Sequence, residues 1–497
     1  MNTDSERQGV MRALAIGGAI SIVGVAASTV FGWLRIKGLA VTLGPSGFGV
    51  YGQIWVFVLY TGSFAAAGIG VGMTKFVASE RERRDTVALS ALASTALTLP
   101  LLAGGLLGLL TLGVSAALAP LLTGSDQVSL VWLAALSIPL VGIQMTFQPL
   151  LQGFEDAKGQ AAIFAAYGAS FALLSIGGAL LLGVWGAVAA LLCGNLVLAS
   201  LYLYRGRELL TMAGGALRIA RRRARKFARP LLAIGSGALL GLIVFSISDL
   251  AVRIAVLHYD GKEALGFWVA LMTLSVQFLG AISSAVVFFT APMTARAAAR
   301  EDTEAVRTVV DDSLRLSTLA VAPLIGLVLT FRDPIVSVLF SDEFDGMAAY
   351  LPAQMTGDLL RAFAWPLGLC LVPLGFIRVW VLSGVGASGL YGLAGVYLTH
   401  RLGLEGAVAS YVLLWATLLV VVATWLVAKR VWWPTRQSAL GVLVSALMLA
   451  IVTVAQGAIG LVILIAGTAL LVFASTTRSE RSAFFDRIFR RPLKLRR

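Results

Sequence analysis

The chain reads as an all-α polytopic membrane protein: two six-helix lobes related by an internal repeat, followed by a C-terminal helical hairpin, about 14 transmembrane helices in all. Three observations predict this. First, 58% of the 497 residues are hydrophobic and 13% charged, with a mean hydropathy of +0.89. That is too apolar for a soluble domain, and the chain holds many runs of about 20 apolar residues, the length that crosses the hydrocarbon core. Second, segments recur. Arg35-Ile36 followed by Gly47-Phe48-Gly49 matches Arg253-Ile254 followed by Gly266-Phe267-Trp268, and Gly186-Ala187-Val188-Ala189 matches Gly406-Ala407-Val408-Ala409, at nearly one shared offset. Internally duplicated membrane chains are a hallmark of two-lobed transporters. Third, Lys and Arg concentrate in alternate loops, which both counts and orients the helices.

Apolar runs bounded by charge place six helices near 13–34, 50–73, 87–113, 129–151, 161–183 and 184–204, and six more near 231–257, 266–293, 313–331, 351–377, 379–399 and 403–428. The polar start from Met1 to Arg12 leads into an apolar run long enough to span, so that run is expected to stay as a helix and not to be cleaved as a signal. The run 438–474 would make a single helix of about 55 Å, nearly twice the hydrocarbon thickness, so it is read as a hairpin broken near Gln456-Gly457. The expected organisation is therefore a first lobe over 1–204, a basic linker over 205–229, a second lobe over 230–428, an extra hairpin over 429–475 and a basic tail over 476–497.

With the N-terminus in the cytoplasm, 31 of the 39 Lys and Arg fall in cytoplasmic segments, so both termini are expected there. The linker, with Arg221-Arg222-Arg223, and the tail from Arg478 to Arg497 contribute most. The net charge of +14 is thus a signal of topology and of contact with anionic membrane lipids, not of nucleic acid. Cys193 and Cys370 both sit in apolar runs, and a structural disulfide is not expected. Loops are short, leaving no extramembrane domain to house soluble chemistry. No Ser/His/Asp arrangement, metal-ligand cluster or phosphate loop is present, so no enzyme activity, metal or cofactor is expected.

Ionisable groups in hydrocarbon are costly and usually face a cavity or a partner. Asp249 and Arg253 are spaced i,i+4, and Asp358 and Arg361 i,i+3, so each pair shares a helix face. Arg35 ends the first helix, with Lys37 just beyond. Counting helical rise puts Arg35, Asp249, Arg253, Asp358 and Arg361 in the outer half of the membrane. They could line one cationic cavity; equally, the pairs could only neutralise each other, or the arginines could snorkel outward. Guanidinium groups bind phosphate through two parallel hydrogen bonds, so a cationic cavity suits a diphosphate. Gln53, Gln277 and Gln354 are candidate sugar contacts, along with Gln144 and Asn195, although helix-to-helix hydrogen bonding serves for each. Lys75, with Arg81, Arg83 and Arg84, ends the second helix either as a topology anchor or as a site that captures an anionic head group. His258 and His400 read as loop surface residues, and Gly68 to Gly72 as close helix packing.

The stretch Leu43-Gly44-Pro45-Ser46-Gly47-Phe48-Gly49-Val50-Tyr51-Gly52, then Lys75-Phe76-Val77-Ala78, resembles the N-terminal signature of Wzx-type polysaccharide-unit flippases of the multidrug/oligosaccharidyl-lipid/polysaccharide exporter superfamily. Leu339-Phe340-Ser341 with Phe344, Gly357-Asp358 and Gly403-Leu404-Glu405-Gly406 resemble its C-terminal half. The resemblance covers about 10–430. It implies a bacterial inner-membrane flippase that moves undecaprenyl-diphosphate-linked oligosaccharide to the outer leaflet for O-antigen or related surface polysaccharide, with a polysaccharide polymerase complex as a further partner. Two departures stand out: Ser79 intervenes before Glu80, and the 438–474 hairpin exceeds the family's usual twelve helices. A peptidoglycan-precursor (lipid II) flippase is the nearest alternative and a cation-coupled multidrug antiporter the second, although helices 1 and 2 lack the carboxylate that antiporters place there. The short loops argue against polysaccharide polymerases and ligases.

Overall fold

The computed structural model describes residues 3–217, 221–455 and 457–477. The tail Arg478 to Arg497 and Gln456 lie outside the described residues, as do the side chains of Arg221-Arg222-Arg223. Among the described residues there are helices and no strands, and ten helices are long and apolar enough to cross a membrane. The helices are α1 (Thr3–Ala65), α2 (Gly70–Glu82), α3 (Thr86–Gly113), α4 (Ser115–Thr123), α5 (Val128–Gly153), α6 (Ala157–Met212), α7 (Arg221–Tyr259), α8 (Gly261–Thr273), α9 (Gly280–Ala299), α10 (Thr303–Thr330), α11 (Arg332–Leu339), α12 (Leu351–Leu369), α13 (Ile377–Leu402), α14 (Leu404–Ala428), α15 (Arg436–Val454) and α16 (Gly457–Ser475). They pack as two compact units: residues up to Val269 with Val338–Phe344, and Ala270–Ser337 with the residues from Asp345 on.

In the first unit, two helices each hold two of the expected spans. At Gly44 in α1 the backbone takes φ 60, ψ −179, a region open essentially to glycine, and Pro45 restarts the helix with its φ already set. The reversal is sharp enough that Arg35 reaches Tyr51. In α6, Gly183 takes φ 60, ψ −140. The arms on either side close up until a side chain on Gly186 would run into the backbone oxygen of Gly178. The core of this unit is apolar, with Met73, Leu92, Phe147 and Leu150 wholly buried.

The second unit bundles α10, α12, α13 and α14 and carries the C-terminal hairpin. Gly441 of α15 meets Ser475 of α16, and Met448 meets Gly467, so the two helices run antiparallel and break where the sequence places the break. A stripe on α10 fastens the hairpin. Asp311 accepts from Thr435 Oγ1 (2.7 Å) and Trp432 Nε1 (3.3 Å), Arg307 lies 3.7 Å from the Trp433 ring, and Arg315 Nε donates to the Ser475 carbonyl (2.6 Å).

The internal repeat is visible in backbone detail. Gly44 and Gly261, both with positive φ, stand 217 residues apart. So do Asp85 and Asp302, each of which caps a 28-residue helix by accepting from the backbone N–H three residues on at 2.9 Å, each preceded by a residue at φ 55. Gly183 and Gly403 share φ/ψ within 1° at a spacing of 220. Repeat-related residues even touch: a side chain on Gly49 would strike Gly266 N at 2.6 Å, and Gly52 abuts Val269.

Three expected spans are interrupted. The run 50–73 stops at Ala65, turns through Ala67 (φ 50) and Gly68 (φ 69), and resumes at Gly70; Gly68 presses against the backbone of Gly235, which only a residue without a side chain permits. The run 266–293 contains a π-helical turn, Leu274–Leu279. The run 351–377 ends its first helix at Leu369, four residues short of Pro373, which has no N–H to continue the ladder. In the basic stretch 205–229, α6 continues to Met212 and α7 begins at Arg221.

Candidate functional site

Three buried polar clusters sit inside the helices, two in the first unit and one in the second. Arg35 is 7% exposed. The Gly44 turn folds it onto the second arm of α1, where its Nη1 donates to Tyr51 Oη at 2.7 Å. Its Cζ lies 4.6 Å from the ring centroids of both Trp55 and Phe171. Those rings stack at 5.4 Å, and Tyr167 stacks on Phe171 at 5.1 Å, giving a ladder of three rings. Gly194 makes the room for Phe171, whose ring would clash with any side chain there. A cation over an aromatic face is stabilised by about 0.5–2 kcal/mol, and among the described residues Arg35 has no ion pair with a carboxylate.

The second cluster is neutral overall. Arg253 Nε donates to Asp249 Oδ2 at 2.6 Å, and Tyr60 Oη to the same oxygen at 2.9 Å. Asp249 is fully buried and Arg253 nearly so. The i,i+4 spacing read from the sequence does bring acid and base together.

The cluster in the second unit is built on the π-helical turn. Asp358 accepts from Ser275 Oγ (2.6 Å) and Tyr411 Oη (2.9 Å), with Arg361 Nη1 3.7 Å away. Arg361 donates to the Ser275 carbonyl at 3.0 Å and lies 5.5 Å from the Trp415 ring. Gly280 is where the guanidinium passes, since a side chain there would collide with Arg361 Nη2. The wide turn sets Ser275 and Gly280 on that face, and π-bulges often accompany functional sites. Gln354 Nε2 donates to Ser275 Oγ at 2.7 Å, while its Oε1 is buried with no partner among the described residues.

The other sequence candidates separate. Gln53 is fully buried with neither amide atom partnered among the described residues. Gln144 donates to Asn195 across α5 and α6, the helix-to-helix bond that was the alternative for both. Gln277 and Lys75 are exposed and Lys37 is half-buried. His258 and His400 are exposed. Glu80 is buried against Arg83 at 3.1 Å. Sequence reasoning missed Tyr51, Trp55, Tyr60, Tyr167, Phe171, Ser275, Gly280 and Tyr411. The pairs Tyr51/Trp55 and Tyr167/Phe171 were available as i,i+4 aromatic spacings beside an arginine-bearing segment.

Residues 39–349 match the profile of a family described as "Polysaccharide biosynthesis protein". The chain belongs to that family. Among curated proteins, this member of the polysaccharide biosynthesis family is similar to the lipid III flippase of Escherichia coli (strain K12), 24% identical over 395 residues that cover 76% of this chain and 90% of that protein. Among solved structures it resembles an inward-facing multidrug resistance MATE family transporter of the MOP superfamily, with a TM-score of 0.66, 16% identity and coverage of 87% of this chain and 98% of the other. It also resembles the lipid II flippase MurJ in an inward closed conformation, with a TM-score of 0.64, 11% identity and coverage of 95% and 100%. The fold is therefore the one that these two transporters share.

Proposed function

We propose that this family member is an inner-membrane flippase that carries undecaprenyl-diphosphate-linked oligosaccharide units from the cytoplasmic to the outer leaflet by alternating access, for O-antigen or a related surface polysaccharide. The observation that carries the reading is a buried arginine in a family whose name is polysaccharide biosynthesis: Arg35 holds five N–H donors, and among the described residues only its bond to Tyr51 uses one. A guanidinium with free donors in an apolar bundle is suited to a diphosphate. Arg253 and Arg361 are the further cationic contacts. Asp249 and Asp358 hold these two arginines while no substrate is bound, and a doubly ionised head group competes for them, which can bias one conformational state over another. Gln53, with both amide atoms buried and unpartnered among the described residues, and Gln354, with its Oε1 so, are the better supported of the sugar contacts. The lobe boundaries expected from the sequence, and termini that both face the cytoplasm, complete the proposal.

The test is surface polysaccharide in a strain lacking this transporter, with membrane abundance of each variant checked. Wild-type display from an Arg35→Ala, Arg253→Ala double variant would sink the cationic reading. Orientation is tested by single cysteines in 205–229: reaction with an impermeant thiol reagent in intact cells would reverse the topology.

A second cargo is the peptidoglycan precursor, since the chain shares its fold with the lipid II flippase MurJ over 95% of its length. Rescue of a strain depleted of its lipid II flippase, without rescue of polysaccharide display, would select the peptidoglycan precursor instead.

A further inference from the structure

The Arg35 cluster contains more than a cation. Tyr167, Phe171 and Trp55 form a continuous stack in which neighbouring rings lie within 20° of parallel. Phe171, the middle ring, is buried, whereas Trp55 and Tyr167 at the two ends each keep part of their surface exposed. No hydrogen bond uses the Tyr167 hydroxyl among the described residues, and Arg35 has donors to spare. Aromatic faces carry partial negative charge, and the C–H faces of a pyranose carry partial positive charge on an apolar surface, so a ring end beside a guanidinium matches a sugar ring bonded to a phosphate. The stack is also rigid: Gly194 admits Phe171 and Arg35 braces both Phe171 and Trp55. A rigid platform loses little freedom on binding.

We infer that Trp55, with Tyr167, forms a stacking subsite for the first sugar of the lipid-linked unit, the residue attached directly to the diphosphate that Arg35 holds. This inference rests on the flippase reading above. It assigns sugar recognition to an aromatic surface and not only to the buried glutamines.

The test is binding to the full-length purified protein of two probes: undecaprenyl diphosphate, and the same lipid bearing one N-acetylhexosamine. The wild type should bind the glycosylated lipid about tenfold more tightly, the range of one aromatic contact. Trp55→Leu should remove that preference, so that the two lipids bind equally whatever affinity both lose with the Trp55–Arg35 contact, and an unfolding temperature in detergent close to the wild type shows that the variant is folded. Trp55→Phe should keep most of the preference, Tyr167→Leu should lose part of it, and Arg35→Gln should weaken both lipids. A preference for the glycosylated lipid that survives both Trp55→Leu and Tyr167→Leu overturns the subsite alone. A wild-type protein that binds neither lipid overturns the subsite together with the flippase reading.

Discussion

Arg35 and Arg253 stand 218 residues apart, at almost the spacing of the backbone repeat, yet apart from a tyrosine hydroxyl in each cluster their surroundings differ. Arg35 is held by aromatic faces and a phenol, and keeps its charge without a carboxylate. Arg253 is neutralised by Asp249, which Tyr60 also holds. The repeat has kept what the backbone requires, the turns at Gly44 and Gly261, the caps at Asp85 and Asp302, and the reversals at Gly183 and Gly403. It has not kept what a ligand would meet. Two copies of one scaffold therefore offer one open cation and one balanced pair, and a site that uses both is asymmetric by construction.

The sharpest way to break this contrast is to remove each arginine. Arg253→Ala leaves Asp249 buried without its charge partner, which typically costs about 3–5 kcal/mol, so thermal unfolding in detergent should show a large loss and transport should disappear. Arg253→Lys should keep part of both, because the charge survives and the planar fork does not. Asp249→Asn should be milder if the carboxylate only holds the arginine. Arg35→Ala removes a cation with no counter-ion and frees only the Tyr51 phenol, so stability should fall by about 1–2 kcal/mol while polysaccharide display is still lost. Equal stability losses in the two alanine variants would show that the surroundings do not differ in the way described.

Much of the fold was legible in the sequence because hydrocarbon imposes length and composition on any spanning helix. The α6 reversal falls at Gly183, the boundary that was expected, and the hairpin breaks beside Gly457. The interruptions at 66–69 and 274–279 were not legible. Both lie inside runs without a charged residue, and the contacts found there, Gly68 against Gly235 and Arg361 passing Gly280, are tertiary. At the candidate sites, the acid–base pairs followed from spacing alone, since i,i+3 and i,i+4 residues meet on any helix. The Arg35 ladder did not, because it joins α1 to α6 across a fold that no local pattern encodes.

A smaller effect tests the shared scaffold. At Gly183 nothing lies within 4 Å of an added methyl group, so Gly183→Ala introduces backbone strain without a clash. At φ near 60 and ψ near −140 that strain is about 1–3 kcal/mol. Gly403→Ala meets the same dihedral angles, so its unfolding temperature should fall by a similar amount. A loss confined to one half would mean that only one of the two turns limits stability, and would weaken the structural repeat.

The smallest effect concerns a cap that the two halves do not share. Asp156 caps the N-terminus of α6, accepting from Gly159 N at 3.1 Å, and takes two bonds from Arg205, at 2.6 and 2.8 Å. In the second half, Phe376 stands before α13 and supplies no side-chain cap. The bonds from Arg205, against the opposing effect of burial, hold the Asp156 carboxyl below the usual carboxylate range. A carboxyl depressed in the folded state stabilises fully above its unfolded value, about 3.9, and loses that contribution as pH falls through the folded value. Asp156→Asn keeps a good capping residue but removes the charge facing Arg205. The variant should therefore unfold earlier than the wild type by a constant margin above about pH 5, and the margin should close as the wild-type carboxyl protonates below pH 4. A margin that persists at the lowest pH would assign the Asp156 contribution to packing instead of to its charge.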